Sequence, residues 1–222
     1  MPVRVRADQA PTPFEEDPRV NPAPASDTAP DPIRTALLVL DYQPATLAFV
    51  PEGEDRDSLL GRVAGAVADV RAHGGTIAHV RAAFTEADWD AVPDANKSFA
   101  PLARHRAMHH EDPATAPHEQ LAPRDGDITV RKTRFGAMST TDLDRQLRAR
   151  GITTLVVSGL STGGAVLSTV LDAADLDYRL YVLSDGVADP DPEVHDILLR
   201  KVLPTRAHVI DTAALHALLR MA

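Results

Sequence analysis

Three places in the chain hold residue types that can do chemistry together. The apolar run ALLVL ends in Asp41, followed by Tyr42 and Gln43. DITVR ends in Lys132, and TLVVSG (154–159) leads into Leu160-Ser161-Thr162-Gly163-Gly164-Ala165. A carboxylate and an ammonium set side by side can move a proton to or from a substrate, and a helix opening on glycines offers backbone N–H groups to a developing anion. Each feature also has a plainer explanation. An Asp at a strand end often only closes a turn. Lys132 lies in a basic cluster with Arg131 and Arg134, and such clusters are usually solvated. The glycines could simply let a helix pack close to a strand. The residues alone point to an α/β enzyme with an Asp/Lys site and do not specify a reaction.

For these residues to meet, the elements carrying them must be neighbours. ALLVLD (36–41), TIAHVRAAF (76–84), DITVRK (127–132), TLVVSG (154–159), RLYVLSD (179–185) and AHVID (207–211) read as strands. Most are nearly continuous apolar runs, as in parallel strands buried on both faces. Between them the spacing predicts helices over 57–73, with Gly74-Gly75 as its stop, over 139–150, capped by Ser139 or Thr140 and ended by Gly151, and over 163–177, 191–202 and 212–221. In the helix over 163–177, Val166, Val170, Leu171 and Ala174 should point inward. The alternation implies a three-layer α/β/α sandwich with a mainly parallel six-stranded sheet. In such sheets ligands bind beyond the carboxyl ends of the strands, where Asp41, Lys132 and the segment after Gly159 all lie. Residues 85–125, broken by Pro93, Pro101, Pro113, Pro117 and Pro123, form a loop long enough to be either functional or disordered. Residues 1–33, rich in Pro, Ala and Asp, are expected to be a disordered or extended arm, and 34–222 the single domain.

The 222 residues, 44% hydrophobic and 25% charged, suffice for one sizeable core. The net charge of −9 and the scattered basic residues speak against a nucleic-acid surface. No apolar run reaches the roughly 18 residues of a membrane span, and the N-terminus lacks the apolar stretch of a secretory signal, so a cytoplasmic protein is expected. There is no cysteine, which removes disulfides, thiolate metal sites and thiol nucleophiles together.

At the same three places the chain resembles the isochorismatase-like superfamily, which includes nicotinamidases and related amidohydrolases. The carrying segments are LLVLDYQ (37–43), DITVRKTRFGAMSTTDLDRQLRARGI (127–152) and the stretch from Leu155 to His195, in order and with the family's spacing. The resemblance implies that Asp41 is the acid/base, that Lys132 is its partner, and that the nucleophile position at the start of the helix after the fourth strand is occupied by Ala165. It also implies a cis peptide at Leu160-Ser161. Alanine cannot form a thioester, so covalent amide hydrolysis by the usual route is excluded. The metal signature of nicotinamidases, an Asp-x-His with a further His beyond it, is missing. His105, His109, His110 and His118 are read as solvated loop residues, with no metal and no cofactor. True isochorismatases resemble this arrangement, having a small residue at the cysteine position and cleaving a vinyl ether through protonation by the Asp. After the strand-four Gly, however, this chain has Leu-Ser-Thr-Gly-Gly where isochorismatases carry an aromatic-Ala-His pattern. It is closer to a subgroup lacking the cysteine, and the substrate stays open.

Further residues are candidates for the substrate pocket. Arg81 could bind a carboxylate bidentately. Gln43 could bind substrate or orient Asp41. Ser161 and Thr162 could hydrogen-bond substrate or water, and the backbone N–H groups near Gly164 and Ala165 could hold an oxyanion. Phe84, Trp89 and Phe135 could supply an apolar wall, and His195 reads as structural. The expected activity is cysteine-independent hydrolysis of a small carboxylate- or carbonyl-bearing molecule. The alternatives are a non-hydrolytic isomerase or lyase in specialised metabolism and a catalytically dead binding or scaffold protein. The resemblance further implies a homo-oligomer, dimer or tetramer; charge and the lack of a long apolar run leave neither nucleic acid nor membrane as an expected partner.

Overall fold

The computed structural model describes residues 29–50 and 54–221. Most of the expected N-terminal arm lies outside these residues. Its last two form, with Arg34, a single turn, Pro32–Arg34, which Asp31 caps by accepting from the Ile33 N–H at 3.2 Å.

Six strands make one parallel sheet: β1 (Thr35–Leu40), β2 (Thr76–Ala82), β3 (Ile128–Lys132), β4 (Thr154–Leu160), β5 (Arg179–Ala188) and β6 (His208–Ile210), in the order β3-β2-β1-β4-β5-β6. The connections reverse direction between β1 and β4, and a ligand crevice forms at such a switch point beyond the strand ends. β1 and β4 are buried along their whole lengths. Alternate residues of β1 feed two different cores. Ala36, Leu38 and Leu40 join the core packed on α5 (Leu143–Ala149) and α6 (Leu167–Asp175), while Leu37 and Val39 join the core packed on α2 (Glu54–Ala72) and α8 (Thr212–Leu219). The period of two explains why the strand reads as continuously apolar.

Several elements differ from the sequence expectation. A short helix, α1 (Pro44–Leu47), follows Gln43 at once. Two further short helices, α3 (Glu86–Asp90) and α4 (Ala100–Arg104), and two single turns organise the long 85–125 segment. Phe84 anchors that segment by backbone bonds to Met108 and His110. The expected helix over 163–177 begins as a wide π-turn, Thr162–Val166, and Leu171 lies partly exposed on its outer side. α5 starts only at Leu143, so neither Ser139 nor Thr140 caps it. Its entry is held by Thr141, whose hydroxyl donates to the Ala137 carbonyl and accepts from the Leu143 N–H at 3.0 Å. β5 runs past Asp185, where the expected strand ends, because a register shift between Val157 and Gly159 lets pairing resume at Val187 and Ala188. The helix expected over 191–202 is α7 (Pro192–Ile197) continued by a second π-turn, Leu198–Val202. Among the described residues no helix is long and apolar enough to cross a membrane.

Candidate active site

β1 ends beside β2 and β4, so three strand ends converge on Asp41. Its backbone adopts a left-handed conformation, φ 58°, uncommon outside glycine and tolerated best by residues such as Asp. The turn is held by the Asp41 N–H donating to the Val80 carbonyl at 2.8 Å and by the Thr46 hydroxyl donating to the Asp41 carbonyl. Tyr42 lies beneath it, its hydroxyl donating to the Gly186 carbonyl across the sheet.

The Asp41 carboxylate is buried and meets a buried cation. Lys132 Nζ lies 2.7 Å from Asp41 Oδ2, with side-chain exposures of 2% and 5%. The same ammonium donates to the Phe135 carbonyl at 2.8 Å and to the Arg134 carbonyl at 3.2 Å. Its three N–H donors therefore have three acceptors, and Lys132 is fixed as the partner of Asp41. The other carboxylate oxygen, Oδ1, is buried without a hydrogen-bond partner. Burial pushes the Asp41 carboxyl above its ordinary value, opposed by the charge and hydrogen bond of Lys132 and, least, by the Ala82 backbone. A buried acid with one free oxygen is suited to holding a proton and passing it to a substrate atom.

These two residues line a cavity of about 500 Å³. Ala165 lies on its wall, 2% exposed, with Leu160, Ser161 and Phe135 beside it. The Leu160-Ser161 peptide is cis. Gly159 lets β4 run tight against β1, since a Cβ there would sit 2.5 Å from Leu40 Cβ. Gly164 is similarly constrained, because its Cβ would meet Ser161 Oγ at 2.9 Å. The Gly164 N–H donates to the Ser161 carbonyl at 3.2 Å and the Gly163 N–H to Asp189 Oδ2 at 2.7 Å. The Gly164 amide expected to hold an oxyanion is thus already engaged.

The structure places Asp41, Lys132, Ala165, Ser161, Phe84 and Phe135 together on the cavity, whereas Gln43, Arg81, Thr162, Gly164 and Trp89 do not line it. Gln43 is 1% exposed and works as a buried splint. Its amide donates to the Ala82 and Thr115 carbonyls, at 2.9 and 2.7 Å, and accepts from the Ala82 N–H at 2.8 Å. Arg81 donates to the His110 and Thr115 carbonyls, at 3.2 and 3.3 Å, because alternation along β2 directs it to the other side. Thr162 is buried against His195, Oγ1 to Nδ1 2.8 Å, which gives His195 a structural task. Trp89 packs behind the wall, its indole N–H donating to the Ala107 carbonyl at 3.0 Å.

Other lining residues were not singled out by sequence: Thr46, Phe49, Val50, Phe99, Leu102, Met108, Arg134 and Asp189 among them. Most stand on α1, on the 85–125 segment or beyond the extended β5, the elements whose course sequence periodicity did not reveal. His105 is exposed as expected, whereas His109, His110 and His118 are half-buried. His109 stacks on Trp89 at 5.4 Å and His118 accepts from the Gln120 N–H at 3.4 Å. Among the described residues His109, His110 and Glu111 have ligand-capable atoms within 4.8 Å of one another, but none of them lines the cavity.

Comparison with known proteins agrees with this architecture. The isochorismatase domain family matches residues 35–214. An uncharacterised isochorismatase family protein of Bacillus subtilis is 30% identical, with 77% of this chain and 86% of its own length covered. The ureidoacrylate amidohydrolase RutB of Methylobacterium radiotolerans is 33% identical, with coverages of 90% and 85%. Among solved structures, a cysteine hydrolase from Pseudomonas syringae pv. phaseolicola superposes with a TM-score of 0.76, 24% identity, and coverages of 86% and 95%, a likeness of fold.

Proposed function

The chain belongs to the isochorismatase family, and on that basis we propose that it is a hydrolase working without a nucleophilic side chain. One observation carries the reading: Ala165 stands on the cavity wall beside a buried acid that keeps one oxygen free. The chain has no cysteine to substitute elsewhere. Named relatives are an amidohydrolase and a cysteine hydrolase, so hydrolysis is the family chemistry nearest at hand.

In this reading Asp41 carries the proton on Oδ1 and delivers it to the carbon of an enol ether. The electron pair of the C=C bond forms the new C–H bond, leaving an oxocarbenium ion. Water adds to the oxygen-bearing carbon of that ion and returns a proton to Asp41, and the hemiketal collapses to a ketone and an alcohol. Lys132 positions the carboxyl and limits how far burial raises its pKa. A substrate carboxylate near the ammonium offsets that opposition. A backbone N–H at position 165 would face the departing alcohol oxygen, which gains negative charge as the hemiketal collapses. Ser161 orients the attacking water.

The test is a turnover screen with isochorismate, other enol ethers, amides and cyclic imides, run on the wild type and on Asp41→Asn. A product that disappears in a folded Asp41→Asn supports the reading. Binding without turnover across the panel overturns it in favour of a ligand-binding protein, and an isomerised product without water uptake overturns it in favour of a non-hydrolytic catalyst.

A further inference from the structure

Aromatic side chains make up only 4% of this chain, and five of them are phenylalanines. Four of those five, Phe49, Phe84, Phe99 and Phe135, line the one cavity that holds Asp41. Phe99 sits at the middle of the group, its ring 6.3 Å from Phe84 and 4.9 Å from Phe135. Phe49 is 67% and Phe135 44% exposed, so large apolar area stands open to water at the cavity instead of being sealed in the core. A cavity of about 500 Å³ lies in the range that takes a ligand of many atoms. A small polar substrate would leave most of this wall wet.

The charged groups of the cavity are not equivalent. The three donors of Lys132 are committed to Asp41 and to the carbonyls of Arg134 and Phe135. Asp189 is engaged by the Gly163 and Asp191 N–H groups, at 2.7 and 3.1 Å. Arg134 is different: its guanidinium lies 5.2 Å from the centre of the Phe99 ring, donates to the neighbouring Thr133 carbonyl, and forms no ion pair among the described residues. A stacked guanidinium with donors to spare suits a planar carboxylate.

We propose that the site selects an amphipathic acid: an aromatic or branched apolar body seated against Phe84, Phe99 and Phe135, with a carboxylate held by Arg134. Its position relative to the bond cleaved at Asp41 rests on the hydrolase reading above, whereas its binding does not. Burying a phenyl group on such a wall strengthens binding on the order of tenfold to hundredfold.

Calorimetric titration with 4-phenylbutyrate, 4-phenylbutyramide and butyrate tests this on the wild type, Arg134→Gln and Phe135→Ala. Phenylbutyrate should bind at least tenfold more tightly than either other probe. Arg134→Gln should weaken the acid to the level of the amide and leave the amide unchanged. Phe135→Ala should weaken both phenyl probes. Butyrate binding as tightly as phenylbutyrate, an equal loss of acid and amide in Arg134→Gln, or no measurable binding of any phenyl probe overturns the proposal. Asp41→Asn separates the two readings: full turnover in that variant defeats the acid mechanism while leaving the binding preference intact, and loss of the preference with turnover still dependent on Asp41 does the reverse.

Discussion

Replacing Lys132 by methionine should make the protein's stability depend on pH in a direction the structure dictates. The substitution keeps an unbranched apolar stem but removes the ammonium 2.7 Å from Asp41 Oδ2. It also orphans the carbonyls of Phe135 and Arg134. Breaking a buried ion pair from one side costs about 3–5 kcal/mol when the remaining charge stays ionised. Asp41 can escape that cost by taking up a proton. From its ordinary value of 3.8, holding a proton at pH 7 costs about 4 kcal/mol, and at pH 5 about 1.6 kcal/mol. These figures are ceilings on the Asp41 share of the loss, because burial already raises the wild-type carboxyl. The sign follows from linkage: the folded variant holds a proton that the unfolded chain releases, so its stability falls as pH rises above 3.8. Urea unfolding of wild type and Lys132→Met from pH 5 to 8 measures the difference. The deficit should grow with pH, and in Lys132→Met/Asp41→Asn it should become nearly constant at the smaller cost of the two orphaned carbonyls, about 1–3 kcal/mol each at most. A deficit independent of pH, or unchanged in the double variant, would refute Asp41 as the charge that Lys132 compensates.

Three other perturbations follow from the same coordinates. Gln43→Leu removes a splint between Ala82 and Thr115 and should cost about 2 kcal/mol in chemical unfolding, because buried backbone groups lose their partners. Gly159→Ala forces β4 away from Leu40 and should destabilise by about 1–3 kcal/mol; the folded fraction should also lose turnover, since the displaced strand ends carry Asp41 and Ser161. His79 is buried beside Asp127 and Arg71, and burial holds its pKa below the ordinary 6.5. Its stabilising share is present above pH 6.5 and is lost as pH falls through the lowered value, so thermal unfolding of the wild type should show an acid-side decline that His79→Gln reduces.

The strands and the Asp41–Lys132 pair were legible from the residues because their signals are local. β1 and β4 are apolar throughout, and both chemical groups sit where such runs stop. Gln43 and Arg81 show where local reading fails. Both are polar residues near strand ends, but whether a side chain enters the crevice depends on which face of β2 it occupies and on which carbonyls the 85–125 segment brings to it. The cavity wall was hidden for the same reason. Phe99 and Met108 belong to short helices and turns that hydrophobic periodicity does not mark, and Asp189 reaches the cavity only because β5 continues, through a register shift, past Asp185, where the expected strand ends. The identity of the residue at position 165 was readable at once, whereas its placement beside an acid with a free oxygen required the fold.

In the proposed mechanism water, and no protein atom, takes the substrate carbon. A single turnover in ¹⁸O-labelled water, quenched and read by mass spectrometry of product and protein, tests it most directly on any substrate the turnover screen yields. Label should appear in the product, and the protein should keep an unchanged mass throughout. A transient covalent adduct, or label appearing in the Asp41 carboxyl, would contradict it.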